Sequence, residues 1–179
     1  MKKIFILILG FVSVIIVSGQ QDPQFSQNMF NKLANNPGFA GSRGNIATSV
    51  LHRSQWMGFE GAPKTQNFSI DAELPFLHGG VGLNIVKDEI AQQNSLGLQA
   101  IYAYRTELGI GQIGMGMSVG MFQSGVDGGG FTYATPGDGA IPTGSVNGSK
   151  LDIGAGVYFN TQDVYIGLSS SHMTEPVVE

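Results

Sequence analysis

The sequence contains no cysteine, which excludes a disulfide framework, thiolate chemistry and a lipid-modified N-terminal cysteine. Charged residues are also scarce: Asp, Glu, Lys and Arg make up 12% of the chain, against roughly 25% in soluble domains. The chain holds 9 basic and 13 acidic residues, for a formal net charge of −4. With so few basic residues it has no extended basic face for phosphates, so we expect no nucleic-acid partner.

Long apolar runs are missing as well. The longest, residues 4–17, spans about 14 residues and falls short of the roughly 20 that a membrane-spanning helix needs. It follows Lys2 and Lys3 and ends before the small residues Ser18 and Gly19. A basic start, a short apolar stretch and small residues at its end are typical of a cleaved signal peptide. We therefore predict a signal peptide over residues 1–19, and hence an exported protein.

Alternation of apolar residues with glycine, serine and glutamine is the main pattern of the remaining chain, and it is clearest over residues 95–122. In the second half of this stretch the apolar positions are Ile113, Met115, Met117, Val119 and Met121. Because successive strand side chains point to opposite faces, this period of two predicts two strands joined by a turn at residues 109–111. A soluble β-sandwich could also bury an apolar face. The small, uncharged opposite face instead favours a barrel with a polar inner wall and a lipid-facing outer wall.

The same reasoning predicts about seven strands, which matches the long runs of alternation typical of membrane barrels. They are predicted at residues 45–55, 65–74, 79–87, 95–108, 112–123, 151–160 and 164–172. The predicted connections alternate between long (residues 56–64, 88–94 and 124–150) and short (residues 75–78, 109–111 and 161–163). Outer-membrane barrels have short periplasmic turns and longer outer loops, so the short turns are predicted to face the periplasm.

These patterns predict an all-β fold, an antiparallel transmembrane β-barrel of the outer membrane, with residues 45–179 forming a partial barrel. Single-chain bacterial barrels have an even number of strands, about eight at least, and an open sheet edge is not satisfied in lipid. We therefore expect this chain to be the N-terminal portion of a longer barrel, with closure by oligomerisation as the alternative. Residues 20–44 are predicted to form an N-terminal periplasmic or plug segment, with a short helix over residues 24–34.

Motifs that suggest chemistry are matched only superficially. Residues 109–114 fit GxGxxG, but a predicted strand follows them where a dinucleotide site needs a helix. Ser118 lies in a GxSxG match, yet it is predicted in mid-strand, whereas a nucleophilic serine sits on a sharp strand-to-helix turn. His52, His78 and His172 lack the spacing of metal ligands. We expect no catalytic residue, no metal site and no cofactor, and hence no enzyme.

Two arginines are predicted to point into the barrel. Arg53 and Arg105 fall on the inner face of their strands. There we expect them to pair with inward carboxylates such as Asp71, Glu73 or Glu107 in a polar network.

Several short phrases together resemble a known family. They are Gln21-Asp-Pro-Gln-Phe-Ser-Gln27, Asn36-Pro-Gly-Phe-Ala-Gly41, Arg53-Ser-Gln-Trp56, Gly61-Ala-Pro-Lys-Thr-Gln66 and Tyr102-Ala-Tyr-Arg105. The chain resembles the PorP/SprF family of outer-membrane proteins of the type IX secretion system. Members resemble FadL-like barrels and are considerably longer, so the resemblance implies that this chain matches their N-terminal part.

The resemblance implies a role in exporting or surface-anchoring large adhesins, and in gliding motility where the organism glides. The implied partners are a secreted protein carrying a C-terminal sorting domain, periplasmic components of the secretion system and the lipid of the cell outer membrane. The family motif maps onto Asp22, Pro23, Phe25, Asn36, Pro37, Arg53, Gln55 and Trp56. These residues either bind a partner or shape the periplasmic end of the barrel. The alternatives are a transport barrel for a small hydrophobic solute and a lipid hydrolase that uses Ser118.

Overall fold

The computed structural model describes residues 28–130 and 144–174, which form one antiparallel sheet. Its strands are β1 (Ala47–Ser54), β2 (Lys64–Leu74), β3 (Gly79–Ile90), β4 (Gln93–Leu108), β5 (Gly111–Asp127), β6 (Ser145–Asn160) and β7 (Tyr165–Ser170). Each strand pairs with the next one along the chain, and the sheet curls into a half-barrel. The predicted all-β architecture and all seven predicted strands are confirmed. The predicted signal peptide lies outside the described residues.

Among the described residues, no helix has the length and the apolar composition needed to cross a membrane. One short helix, α1 (Lys32–Asn35), precedes the sheet. Single turns of 3-10 helix lie at Pro37–Phe39, Pro75–Leu77 and Gly128–Gly130.

Several strands run further than the alternation predicts. β5 and β6 stay paired as far as Asp127 and Ser145, so the predicted loop over residues 124–150 is shorter. The predicted long connection over residues 88–94 is wrong, because β3 and β4 are joined directly through Ala91 and Gln92. Polar residues satisfy the backbone ladder as well as apolar ones do. In this sheet the polar residues mark the point at which a strand leaves the apolar band, but the strand continues beyond that point.

The helix predicted over residues 24–34 is found only in part. Residues 24–27 lie outside the described residues, residues 28–30 form a turn, and α1 begins at Lys32. Of the apolar residues that suggested the helix, Leu33 is buried, whereas Met29 is exposed. The segment is shaped by its contacts with the sheet, and these override a weak helical pattern of this length.

The two faces of the sheet differ as predicted. Outward-facing side chains are apolar and exposed, with Leu98 at 44% and Met117 at 65%. The inward-facing residues of β2 are polar and almost fully buried: Asn67, Ser69 and Asp71 are exposed by 4% or less. This arrangement is the reverse of a soluble domain, where the exposed face is the polar one.

The apolar outer band has the height expected for a membrane. On β5 it runs from Ile113 to Met121, eight residues apart, which is roughly 26 Å along the strand. A strand tilt of about 40° reduces this to a height of about 20 Å, close to the band of about 25 Å seen in outer-membrane barrels. Beyond one edge of the band, Lys87 and Glu89 form an ion pair at 2.6 Å. Polar residues thus mark the limit of the band.

The apolar core on the concave side is small. It consists of Leu33, Phe39, Ala40, Ile101, Ala103 and Tyr158. Leu33, Phe39 and Ala40 come from the segment before β1, and the other residues come from the inner faces of β4 and β6. The segment before β1 therefore packs inside the curl of the sheet.

We expect Met117→Lys to destabilise the protein in lipid vesicles by about 2–4 kcal/mol, because a charge at the middle of a lipid-facing band is costly. Gln123→Lys is the matched control, since Gln123 faces outward on the same strand beyond the band. We expect it to cost at most about 1 kcal/mol. Urea unfolding in vesicles measures both values. Equal costs for the two variants would show that this face does not contact lipid.

Candidate functional site

The segment of residues 36–41, here called the strap, crosses the concave face from β6 to β2. It lies along a row of small inward-facing residues that are Cα partners of one another: Gly80, Ala103, Gly116 and Gly156. Because no side chain in this row is larger than a methyl group, the backbone of the strap can approach the backbone of the sheet closely. We call this row the glycine track.

Contacts on both sides of this interface require glycine. A Cβ atom on Gly116 would overlap the carbonyl group of Pro37, and one on Gly80 would overlap the carbonyl group of Ala40. On the strap itself, a Cβ on Gly38 would lie 2.7 Å from the carbonyl oxygen of Gly114. These separations are too short for any side chain, so the strap and the glycine track fit only as backbone against backbone.

Asn36 anchors the first end of the strap. Its Oδ1 accepts a hydrogen bond of 2.8 Å from the backbone N–H of Gly38 and so caps the 3-10 turn that Pro37 begins. Its Nδ2 donates to the carbonyl oxygens of Val157 at 3.0 Å and of Leu168 at 3.4 Å. Asn36 is only 7% exposed. One amide group therefore joins the strap to both β6 and β7.

Asp71 and Arg105 hold the rest of the strap. The Asp71 carboxylate accepts a hydrogen bond of 3.0 Å from the backbone N–H of Gly41. The Arg105 guanidinium donates to the carbonyl oxygen of Gly38 at 3.4 Å. It also donates to Gln112 Oε1 at 3.2 Å and to Asn160 Oδ1 at 3.1 Å.

The predicted polar network around Arg105 is found, with different hydrogen-bond partners. Arg105 faces inward and interacts electrostatically with the carboxylates of Glu73 and Asp71, as predicted, but its hydrogen bonds go to a carbonyl group and two amides. The physical reason is that the strap lies over this part of the sheet, and its backbone forms hydrogen bonds with both Asp71 and Arg105. Arg53 is half-buried on the inner side of β1, and its predicted pairing stays a prediction.

A chain of side-chain hydrogen bonds crosses the concave face beyond the strap. Asn31 Nδ2 donates to Asn67 Oδ1, and Asn67 Nδ2 donates to Asn84 Oδ1, each at 2.7 Å. Asn84 contacts Gln99 at 3.5 Å, and Gln99 Nε2 donates to Asp152 Oδ2 at 2.7 Å. The network joins the N-terminal segment to β2, β3, β4 and β6, and it satisfies polar groups that burial would otherwise destabilise.

Ser118 lies in the middle of β5, as predicted, and is buried on the inner face opposite Gly154. Two residues that could complete a hydrolase triad do meet, because His172 Nδ1 lies 3.0 Å from Asp152 Oδ1. The pair lines a small cavity together with Phe122. The sharp turn that a GxSxG nucleophile requires is not found at Ser118, which sits in a regular strand.

A cluster of cations and aromatic rings lies beside the strap, and sequence reasoning did not identify it. Lys32 Nζ lies 3.6 Å from the centre of the Tyr165 ring and 3.4 Å from the Tyr158 hydroxyl. The Arg43 guanidinium lies 5.2 Å from the centre of the Phe39 ring. Phe39 packs edge-on against Tyr158. Lys32 and Phe39 are more than a hundred positions away from Tyr158 and Tyr165, so no local signal relates the two sides of this cluster.

The predicted site residues do not form a single site. Asn36 and Pro37 belong to the strap, while Asp22, Pro23 and Phe25 lie outside the described residues. Arg53, Gln55 and Trp56 lie where β1 ends. The cross-strand pairs put Arg53 level with Ser124 of β5, eight residues and roughly 26 Å from Gly116 of the glycine track.

The two residues after Arg53 and Ser54 differ in their environment. The backbone N–H of Gln55 donates to the carbonyl oxygen of Pro63 at 3.0 Å, which closes the loop between β1 and β2. Trp56 is 70% exposed and has a φ of 50°, a left-handed conformation that is uncommon for such a residue. Within residues 28–130 and 144–174, no three His, Cys, Asp or Glu residues are grouped so as to hold a metal ion.

We expect Gly116→Ala to displace the strap, because the added methyl group would overlap Pro37, and to cost about 1–3 kcal/mol of stability. Gly97→Ala is the matched control. It places a methyl group on the same inner face with neighbours no closer than 3.9 Å. The chain has no native cysteine, so labelling of a cysteine introduced at Ser42 reports exposure of the strap. Equal labelling of the two variants would contradict the proposed fit.

Asn36→Ala should destabilise the protein by about 1–3 kcal/mol, since it removes the partner of the buried N–H of Gly38 and of the partly buried carbonyl groups of Val157 and Leu168. Asn35→Ala serves as the control, because the Asn35 side chain is exposed. Denaturant midpoints in the same detergent compare the two. If both variants unfold at the same denaturant concentration, Asn36 does not anchor the strap.

Comparison with known proteins identifies one relationship. The model of the family described as type IX secretion system membrane protein PorP/SprF matches residues 17–179. No curated protein and no solved structure matches the chain.

Proposed function

The chain belongs to the PorP/SprF family of type IX secretion system membrane proteins, and we propose that it acts there as an outer-membrane β-barrel component. In this proposal it helps to export secreted adhesins or to anchor them at the cell surface, and it serves gliding motility where the organism glides. The role is that of a structural and binding component, not of an enzyme.

The observation that carries the proposal is the two-faced sheet. Its outer face is an apolar band of near-membrane height, and its inner face is polar, buried and hydrogen-bonded. A strand can cross lipid only if its backbone is paired with neighbouring strands, and an antiparallel sheet of this kind meets that requirement. The outer membrane of a bacterium is the membrane in which such sheets are built into barrels.

The proposed partners follow from the family and from the proposed orientation. They are a secreted protein carrying a C-terminal sorting domain and periplasmic components of the type IX secretion system. The connections at residues 75–78, 109–110 and 161–164 are all short and lie at one end of the sheet. The other end carries one equally short connection, residues 91–92, and two longer ones, residues 55–63 and 128–144, so we assign the first end to the periplasm. A secreted chain would approach the inner face and the strap from that end.

The inner wall argues against a transport barrel for a small hydrophobic solute. A hydrophobic solute needs an apolar path, because polar groups that lose their hydrogen bonds to it are destabilised. Here the inward side chains of β2, β3 and β4 include Asn67, Asn84 and Gln99, which are already bonded to one another. The wall therefore suits polar contacts.

Deletion of the gene tests the proposed function. We expect at least one large secreted protein to disappear from the cell surface and to accumulate inside the envelope, as measured by mass spectrometry of the surface and periplasmic fractions. Expression of the wild-type gene should restore export.

Two variants sharpen this experiment. Ser118→Ala should restore export fully, because Ser118 is proposed to be a structural residue. Gly116→Ala should restore export less well than its control Gly97→Ala. A deletion strain with a normal surface proteome and altered uptake of a hydrophobic solute would refute the proposal in favour of transport, and loss of export with Ser118→Ala would point to catalysis.

A further inference from the structure

A cleft of about 560 Å³ opens between the N-terminal segment and the β6–β7 hairpin. Lys32, Phe39 and Arg43 form one wall, and Tyr158 and Tyr165 form the other. The volume lies within the range of ligand sites in proteins and has room for a few amino-acid residues. The cleft lies at the end of the sheet that carries the connections at residues 75–78, 109–110 and 161–164.

Lys32 and Arg43 both line this cleft, and both lie against aromatic rings. Within residues 28–130 and 144–174 neither cation forms an ion pair, and the carboxylate of Asp71 interacts electrostatically with Arg43 without forming an ion pair with it. The aromatic faces attract the cations but do not neutralise them. Both groups therefore keep donors for an anion, and a planar guanidinium is well suited to a carboxylate.

The remaining lining residues indicate what else the ligand contains. Met29 and Phe30 are 65% and 61% exposed at the rim, and they offer apolar contacts. Asn160 and Gln162 line the same cleft with amide groups, which can pair with a peptide backbone. Asp163 is the acidic lining residue, and it lies in the exposed turn between β6 and β7.

The position of the cleft favours a polypeptide over a lipid headgroup. Tyr158, Asn160 and Tyr165 belong to the inward-facing positions of the sheet, because they alternate with the outward-facing Val157 and Ile166. The apolar band that would contact lipid is on the opposite face. An anionic lipid in the bilayer would therefore meet the wrong side of these strands.

We infer that this cleft binds an acidic segment of a polypeptide, whose carboxylate pairs with Lys32 and Arg43. Its neighbouring side chains pack on Phe39, Tyr165 and the apolar rim. The assignment of this polypeptide to a secreted cargo rests on the proposed function, whereas the binding itself does not.

Binding to the purified full chain in detergent tests the inference. The probe is a short fluorescein-labelled peptide of alternating Glu and Thr, and the matched peptide has Gln in place of Glu. Fluorescence anisotropy should give an affinity for the Glu peptide at least about tenfold higher than for the Gln peptide, because charge-assisted hydrogen bonds are lost with the carboxylates.

Matched variants locate the site. Lys32→Gln and Arg43→Gln should each weaken binding of the Glu peptide by roughly tenfold, while Lys64→Gln, at the other end of the sheet, should leave it unchanged. Asp163→Asn should tighten binding, because it removes a negative charge from the cleft. This gain of affinity keeps the test valid if a loss variant folds poorly.

Three outcomes would overturn the inference. They are equal affinity for the Glu and Gln peptides, unchanged affinity in both Lys32→Gln and Asp163→Asn, and displacement of the peptide by vesicles of anionic lipid but not by unlabelled peptide. Because the assay uses purified protein, its failure would leave the export experiment untouched, and normal export in the deletion strain would leave the binding result standing.

Discussion

The contact between the strap and the glycine track is the constraint on which the concave side of this protein depends. Two backbones approach closely there, and only glycine at Gly116, Gly80 and Gly38 permits the approach. Once the strap is in place, its polar groups must be satisfied, which accounts for the roles of Asn36 and Asp71. The apolar core beside the strap is correspondingly small, and it consists of Leu33, Phe39 and Ala40 packed against residues of β4 and β6.

The sheet also separates two environments. Its outer residues are the apolar ones, so the stability of the sheet depends on what covers that face, and lipid fits the apolar band in both height and composition. The inner residues depend on one another, through the chain of amide and carboxylate groups from Asn31 to Asp152. Membership of the PorP/SprF family gives this arrangement a setting in the type IX secretion system. The cleft beside the strap, with the ammonium of Lys32 held over Tyr165, is open on the inner side, and it is there that we propose a partner binds.

Much of the fold could be predicted because an alternating pattern is a local property. The positions from Ile113 to Met121 define both a strand and its lipid-facing side, and the pairing of neighbouring strands follows from short connections. The ends of the strands were harder to predict. The polar residues around Glu89 and Ser124 predict loops, yet the strands stay paired through them, beyond the apolar band. At that height both water and a paired strand can satisfy polar groups, so polarity alone does not mark the end of a strand. Asn36 and Pro37 were identified by family resemblance, but their role as an anchor was not.

The sequence by itself therefore determined the strands, the two faces of the sheet, and the family. The strands and the faces depend on residues that are close together in the chain, and the family depends on short sequence motifs that can be compared directly with those of its members. Only the tertiary structure decided that the strap lies on the glycine track, that Arg105 bonds to Gly38 in place of a carboxylate, and that Lys32 meets Tyr165. These contacts join residues far apart in sequence. They form only once the sheet has curled so that the strands from β2 through β7 surround the strap.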